Sequence, residues 1–374
     1  MRPFRGDPRS PFLAPRGVAT DGRVLVVTDT GQNRVFVWHA MPEGETAPAD
    51  AILGQPDATS TGRNRGGTAA RDTLHYPSGV WTDGTRVAVG DAWNHRVLLW
   101  HTLPTGFGAP ADVVLGQGDG AGALPNRAGV GASPGAATLY WPYGVCGDLH
   151  GLWVADTGNR RVLRWQAWPT RDGTPADAIV GQSGFTARDY EREGTRWPYA
   201  ARPTPDGGLL VTDVGAFRVL RWDDAARACA GAPPTLVLGQ SDLEGALQNR
   251  GRMRPGAATL NWCYDAVQHA DGALIVADTG NCRLLGWDAV PAVHGAPATR
   301  LYGQPAFDTI GEVAHPDLVP DGAYWPFSLA LAGDVLCVAD TGNHRVLIGT
   351  PRQLQPPAIE TAPDAPRRLT VSFA

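Results

Sequence analysis

A carboxylate, two phenols and a guanidinium are the groups of this chain best suited to moving a proton. Asp265 follows Trp262-Cys263-Tyr264, where the equivalent segments read Tyr76-Pro77-Ser78-Gly79, Trp141-Pro142-Tyr143-Gly144, Trp197-Pro198-Tyr199-Ala200 and Trp325-Pro326-Phe327-Ser328. A carboxylate at a position that is otherwise Gly, Ala or Ser is a break in a pattern, and breaks are where function enters a repeated scaffold. Asp265 has the type of a general base, Tyr264 or Tyr199 of an acid, and Arg16 of an anion holder. The same side chains with Ser78, Tyr143 and Phe327 equally describe a pocket that binds without reacting, since aromatic walls with few polar groups suit small molecules. Tyrosines beside Asp265 would also suit a cation.

These segments recur because the chain is a repeat. Six copies of a pattern near Val-Ala-Asp-Thr-Gly-Asn-x-Arg-Val-Leu place Asp at 29, 91, 156, 213, 278 and 340, between 57 and 65 residues apart. Such a period means that one supersecondary unit stacks on its neighbours. Each unit opens with the aromatic-Pro segment, and Pro is harmless at the first position of a strand. An apolar run ending in Asp follows, then the Thr-Gly-Asn turn, then an alternating Arg-Val-Leu-x-Trp strand. A Pro/Ala-rich connection leads to a strand ending in Gly-Gln, as at Gly54-Gln55 and Gly239-Gln240. We name these strands a to d.

Four antiparallel strands taken six times predict an all-β, six-bladed β-propeller, a single toroidal domain over 1–374. The blades are expected near 15–60, 77–120, 142–184, 198–242, 263–306 and 326–374. The sixth unit lacks a Gly-Gln strand. Leu369-Thr370-Val371-Ser372-Phe373 alternates correctly and is expected to supply its outer strand, so that the ring closes without the N-terminal residues.

Composition narrows the function classes. The net charge is −5 with no block of Lys or Arg, which argues against nucleic acid as the partner. Five cysteines without a Cys-x-x-Cys indicate neither a disulfide framework nor a zinc site, and a cytoplasmic setting is expected. No apolar leader and no membrane-length apolar run occur, so neither a signal peptide nor a membrane partner is expected.

Pro-x-Gly-Val followed by a strand ending in Ala-Asp-x-x-Asn-x-Arg-Val resembles the NHL-repeat propeller family. Asp156-Thr157-Gly158-Asn159-Arg160-Arg161 and Asp340-Thr341-Gly342-Asn343-His344-Arg345 match it best. The resemblance implies the six-bladed fold, and it spans lyases, hydrolases, RNA binders and protein scaffolds. Similar zinc-dependent peptidyl-hydroxyglycine lyases carry a metal-binding His after the strand-a Pro. Here that position is Arg16, Ser78, Tyr143, Tyr199, Tyr264 and Phe327. Similar calcium-dependent hydrolases converge several oxygens on the channel, where this chain offers Asp265.

Alternating strand directions put the d-to-a loops and the b-to-c turns on one face. The residue after Pro then forms an inner ring at the channel mouth. The residue before the repeated Arg forms an outer ring: Asn33, His95, Arg160, Phe217, Cys282 and His344. His75, His95 and His344 join the expected ligand-binding set. No residue is assigned to a metal and no cofactor is expected, with a metal at the mouth left as an alternative. Cys263 and Cys282 lack an evident His partner and read as inert thiols. The repeated Asp, Asn, Arg and Gln read as structural, with Gly supplying the left-handed turn residue. Loops of 21 to 24 residues after three Gly-Gln strands share Asn-Arg pairs, at Asn64-Arg65, Asn126-Arg127 and Asn249-Arg250. They either carry function or pack over the mouth. Binding of a small molecule, peptide or partner protein at the aromatic mouth is the preferred function. A lyase or hydrolase using Asp265, Tyr264, Tyr199 and Arg16 is the alternative.

Overall fold

The second strand of every unit is apolar on both faces, and in five of six units all its residues are buried, from Leu25–Asp29 to Leu274–Asp278. A strand buried on both faces needs a sheet packed on each side. A ring of blades provides that. The computed structural model of the chain describes residues 1–188, 194–309 and 322–356. It contains six four-stranded antiparallel sheets, each ordered a-b-c-d from the axis outward. The inner strands are Gly17–Thr20, Pro77–Thr82, Pro142–Gly147, Pro198–Pro203, Cys263–Gln268 and Pro326–Ala332. Each packs against the next, and the sixth packs against the first. Separate apolar clusters lie between successive blades, such as the one joining Val27, Phe36 and Trp38 to Val346 and Ile348. No helix among the described residues is long and apolar enough to cross a membrane.

Closure differs from expectation. The outer strand of the sixth blade is Arg2–Phe4, with Arg2 opposite Ile348 and Phe4 opposite Val346. The segment expected there, 369–373, lies outside the described residues. The N-terminal strand is held from both sides. Phe4 is buried edge-on to Trp38 at 5.0 Å and to Phe12 at 5.7 Å. Asp7 accepts from the Ala49 backbone N–H and from Arg9. Pro3 costs little because this strand is an edge.

One irregularity positions the site. In blades 3 to 6 the pairing of strands a and b skips the residue after the first position: Pro142 faces Asp156 while Gly144 faces Ala155, and the same skip recurs at Tyr199, Tyr264 and Phe327. A bulge leaves its extra residue unpaired and re-aims its side chain.

Candidate functional site

Two layers of polar side chains meet the face formed by the turns. The outer layer is a belt that repeats. In each turn the Asp accepts from the Arg five residues on, as in Asp156–Arg161 at 2.7 Å and Asp278–Arg283 at 2.7 Å. Its second oxygen accepts a backbone N–H from the segment before strand a, such as Tyr140 N or Asn261 N. The remaining Arg nitrogens reach loop carbonyls, as Arg161 does to Gly135 and Thr138. These are interior pairs with their hydrogen bonds made, the arrangement in which a buried charge is tolerated. The Gly-Gln amides close the turns, with Gln117 donating to His95 O and Leu124 O and Gln240 to Phe217 O and Leu247 O.

The turn glycine acts differently from expectation. The left-handed residue is the one before Arg, with φ of 51 to 59° from Asn33 to His344. At Gly158 an added Cβ would lie 2.5 Å from the Tyr140 ring, so this Gly is required by close approach.

The belt also latches blade to blade. Thr30 and Thr157 donate to the strand-a carbonyls of Pro77 and Pro198 in the next blade, both at 2.6 Å. Thr341 does the same to Pro15, which seals the ring. Asn33 Oδ1, His95 Nδ1 and His344 Nδ1 accept the backbone N–H of Tyr76, Trp141 and Ala14. His95 and His344, expected at a ligand, are therefore latches between blades. Burial holds the His95 imidazole down to about 4. His75 packs edge-on against Trp93, and burial lowers its pKa too. The shared Asn-Arg loops join the same belt. Asn64, Asn126 and Asn249 form reciprocal amide pairs with Asn94, Asn159 and Asn281 of the following turn.

The inner layer is not repeated. Tyr143 stacks on Tyr199 at 4.9 Å, Tyr264 stacks on Phe327 at 4.2 Å, and Tyr199 meets Tyr264 edge-on at 4.4 Å. The bulged rings fill the channel and leave a cavity of about 20 Å3 beneath them, room for about one water molecule. Along the axis itself these rings form a plug. Ser78 Oγ lies 3.0 Å from the Tyr199 hydroxyl. Burial, with Tyr199 close by, raises the Tyr143 and Tyr264 phenols above their ordinary range, so neither is matched to proton transfer near neutral pH.

Asp265 is buried, and its partner is Arg202 of the preceding blade. Arg202 Nε and Nη2 donate to its two oxygens at 3.0 and 2.6 Å. Ser328 Oγ and the backbone N–H groups of Leu329 and Ala266 donate as well. A carboxylate holding five donors has little left for a substrate proton. The expected opposition of Asp265 to Arg16 is replaced by this pair. Cys263 donates to Arg218 O, and burial pushes its thiol well up. Cys282 is buried. Among the described residues no group of three or more His, Cys, Asp or Glu is placed to hold a metal.

Above the plug the surface is aromatic. Trp93, Trp197, Trp262 and Trp325 are each exposed by 38 to 45%, and Tyr76 stacks on Trp93 at 4.7 Å. Between blades 5 and 6 a cavity of about 300 Å3 is lined by Arg16, Trp262, Tyr264, Thr279, Gly280, Trp325 and Phe327. Arg16 lies 4.2 Å from the Phe327 centroid and 5.1 Å from that of Tyr76. Sequence reasoning took the pre-Pro aromatics as strand markers. Their recurrence at one face was the signal that they form its surface. The opposite mouth of the channel holds a second concavity, about 480 Å3, lined in part by Trp81, Leu149 and Leu331.

No family model matches this chain, and no curated protein matches it. Its fold is similar to a solved structural genomics protein of unknown function from Bacteroides thetaiotaomicron VPI-5482. The TM-score is 0.51 at 12% identity, covering 93% of this chain and 75% of that one. That likeness is one of fold alone.

Proposed function

We propose that this is an NHL-type binding propeller that holds a small molecule or peptide on the aromatic mouth of its channel. One observation carries the reading. The plug takes up Tyr143 and Tyr199, while Trp262 and Trp325 keep exposed faces beside an open cavity whose wall includes Arg16, Tyr264 and Phe327. Exposed aromatic surface around a concavity is the usual form of a ligand or partner site. The lyase or hydrolase reading is weaker, because Asp265 holds five donors and burial raises the Tyr264 phenol, which makes it a poorer acid near neutral pH. None of the five cysteines forms a disulfide, which fits a reducing cytoplasm.

The test is a fragment titration followed by tryptophan fluorescence. Trp262→Ala and Trp325→Ala should abolish the signal of any bound fragment and shift stability by less than about 1 kcal/mol, since both side chains are exposed. Fragment binding that ignores both substitutions would refute a site at this mouth.

A further inference from the structure

At the mouth, one cation has no counter-ion among the described residues. Arg16 leads into strand a of blade 1 and donates its backbone N–H to Thr28 O at 3.2 Å. Its guanidinium sits between the Phe327 and Tyr76 rings. Burial disfavours its charge, and the phenols Tyr199, Tyr76 and Tyr264 offset this, Tyr199 also accepting a hydrogen bond from it. Among the described residues it forms no ion pair, whereas the other axial cation, Arg202, has Asp265 at 2.6 Å. Ring faces attract a guanidinium but accept few of its five donors.

Among the described residues, the cavity beside Arg16 offers nothing negative to balance it. Its wall is otherwise Trp262, Tyr264, Thr279, Gly280, Trp325 and Phe327, and the Thr279 hydroxyl is already given to Pro326 O. The site therefore combines one positive charge with broad apolar faces. A single guanidinium fork matches a single carboxylate in charge and in planar geometry. A phosphate dianion would leave charge uncompensated here.

We propose, resting on the binding function above, that this cavity takes a small carboxylic acid. Its flat or apolar body lies against Trp262 and Trp325, and Arg16 holds its carboxylate. The acid group belongs to a free small molecule or to a peptide C-terminus, and both present the same chemistry.

The experiment titrates the full chain with phenylacetate, phenylacetamide and phenethylamine, read by calorimetry and tryptophan fluorescence. Phenylacetate should bind about tenfold or more tightly than phenylacetamide, the size expected of a hydrogen bond to a charged group, and phenethylamine should not bind. Arg16→Gln should make the acid and the amide equal. Arg16→Lys, which keeps the charge, should retain a reduced preference for the acid and serves if the Gln variant fails to fold. Acetyl-Gly-Phe with a free or an amidated C-terminus supplies the peptide arm. Tighter binding of the free-ended peptide than of phenylacetate assigns the peptide source, and the reverse assigns the free acid. Equal binding of phenylacetate and phenylacetamide, no binding of phenylacetate at millimolar concentration, or an acid preference that survives Arg16→Gln would overturn the proposal. The binding function itself falls only if Trp262→Ala and Trp325→Ala leave every probe unaffected.

Discussion

Arg161 in the turn belt is buried, reaches Asp156 at 2.7 Å, and spends its remaining donors on loop carbonyls. Arg16 at the channel mouth is half-buried, faces aromatic rings, and meets no carboxylate among the described residues. Both arginines stand at fixed positions of the repeated unit, Arg16 in the first blade and Arg161 in the third. Arg161 stands at a position filled by Arg in all six units, and Arg16 at one filled by six residues of four types. A position that every blade needs is built into the ring. A position that varies from blade to blade is available to a ligand.

The largest expected effect lies in the belt. Arg161→Leu strands a buried Asp156 and should cost about 3 to 5 kcal/mol in urea denaturation, while Arg16→Gln should cost under about 1 kcal/mol. Equal losses would dissolve the distinction between belt and mouth. Asp265→Asn tests the axial pair. It leaves Arg202 buried against a neutral partner, and we expect a loss of about 2 to 3 kcal/mol, the scale of hydrogen bonds to charged groups. An unchanged melting temperature would mean that this carboxylate serves something other than the fold.

A smaller effect than the loss of either buried pair is in acid. The folded His95 titrates near 4 because burial disfavours its charged form, against 6.5 for an ordinary imidazole. Between those values the unfolded chain binds a proton that the folded protein does not. Stability therefore falls as pH drops through this window, by about 2 kcal/mol at pH 5. Four belt carboxylates, Asp29, Asp156, Asp278 and Asp340, act oppositely. Burial holds Asp29 up at about 6 against the pull of Arg34, so the folded form takes up its proton first and acid adds stability there. The measurement is accordingly the difference between wild type and His95→Asn, which should lose the acid-sensitive part. Identical pH profiles would remove His95 as a latch.

The fold was legible because belt residues repeat: a Gln that donates to its own turn, or an Asp five residues before its Arg, needs only local geometry. The site was legible in part. Tyr143, Tyr199, Tyr264 and Phe327 do gather on the axis, because the bulge after Pro aims them there. What they do there was hidden. Whether four rings leave space or fill it depends on the radius of the ring, and no spacing encodes that. Asp265 and Arg202 stand 63 residues apart, so their pairing emerges only once neighbouring inner strands are brought together. The closing strand escaped notice because Arg2-Pro3-Phe4 is too short to alternate, while the 369–373 segment alternates well.

Pairing Arg2–Phe4 with the strand Arg345–Gly349 has a consequence for assembly. Arg2–Phe4 leaves the ribosome before any blade yet is among the last segments to be placed, since its partner strand is made after five blades have emerged. Until then the growing toroid has two raw faces, one on blade 1 and one on its newest blade. Each is apolar surface prone to associate with a neighbour on the same messenger. The clasp that completes the ring thus also sets how long the nascent chain stays vulnerable.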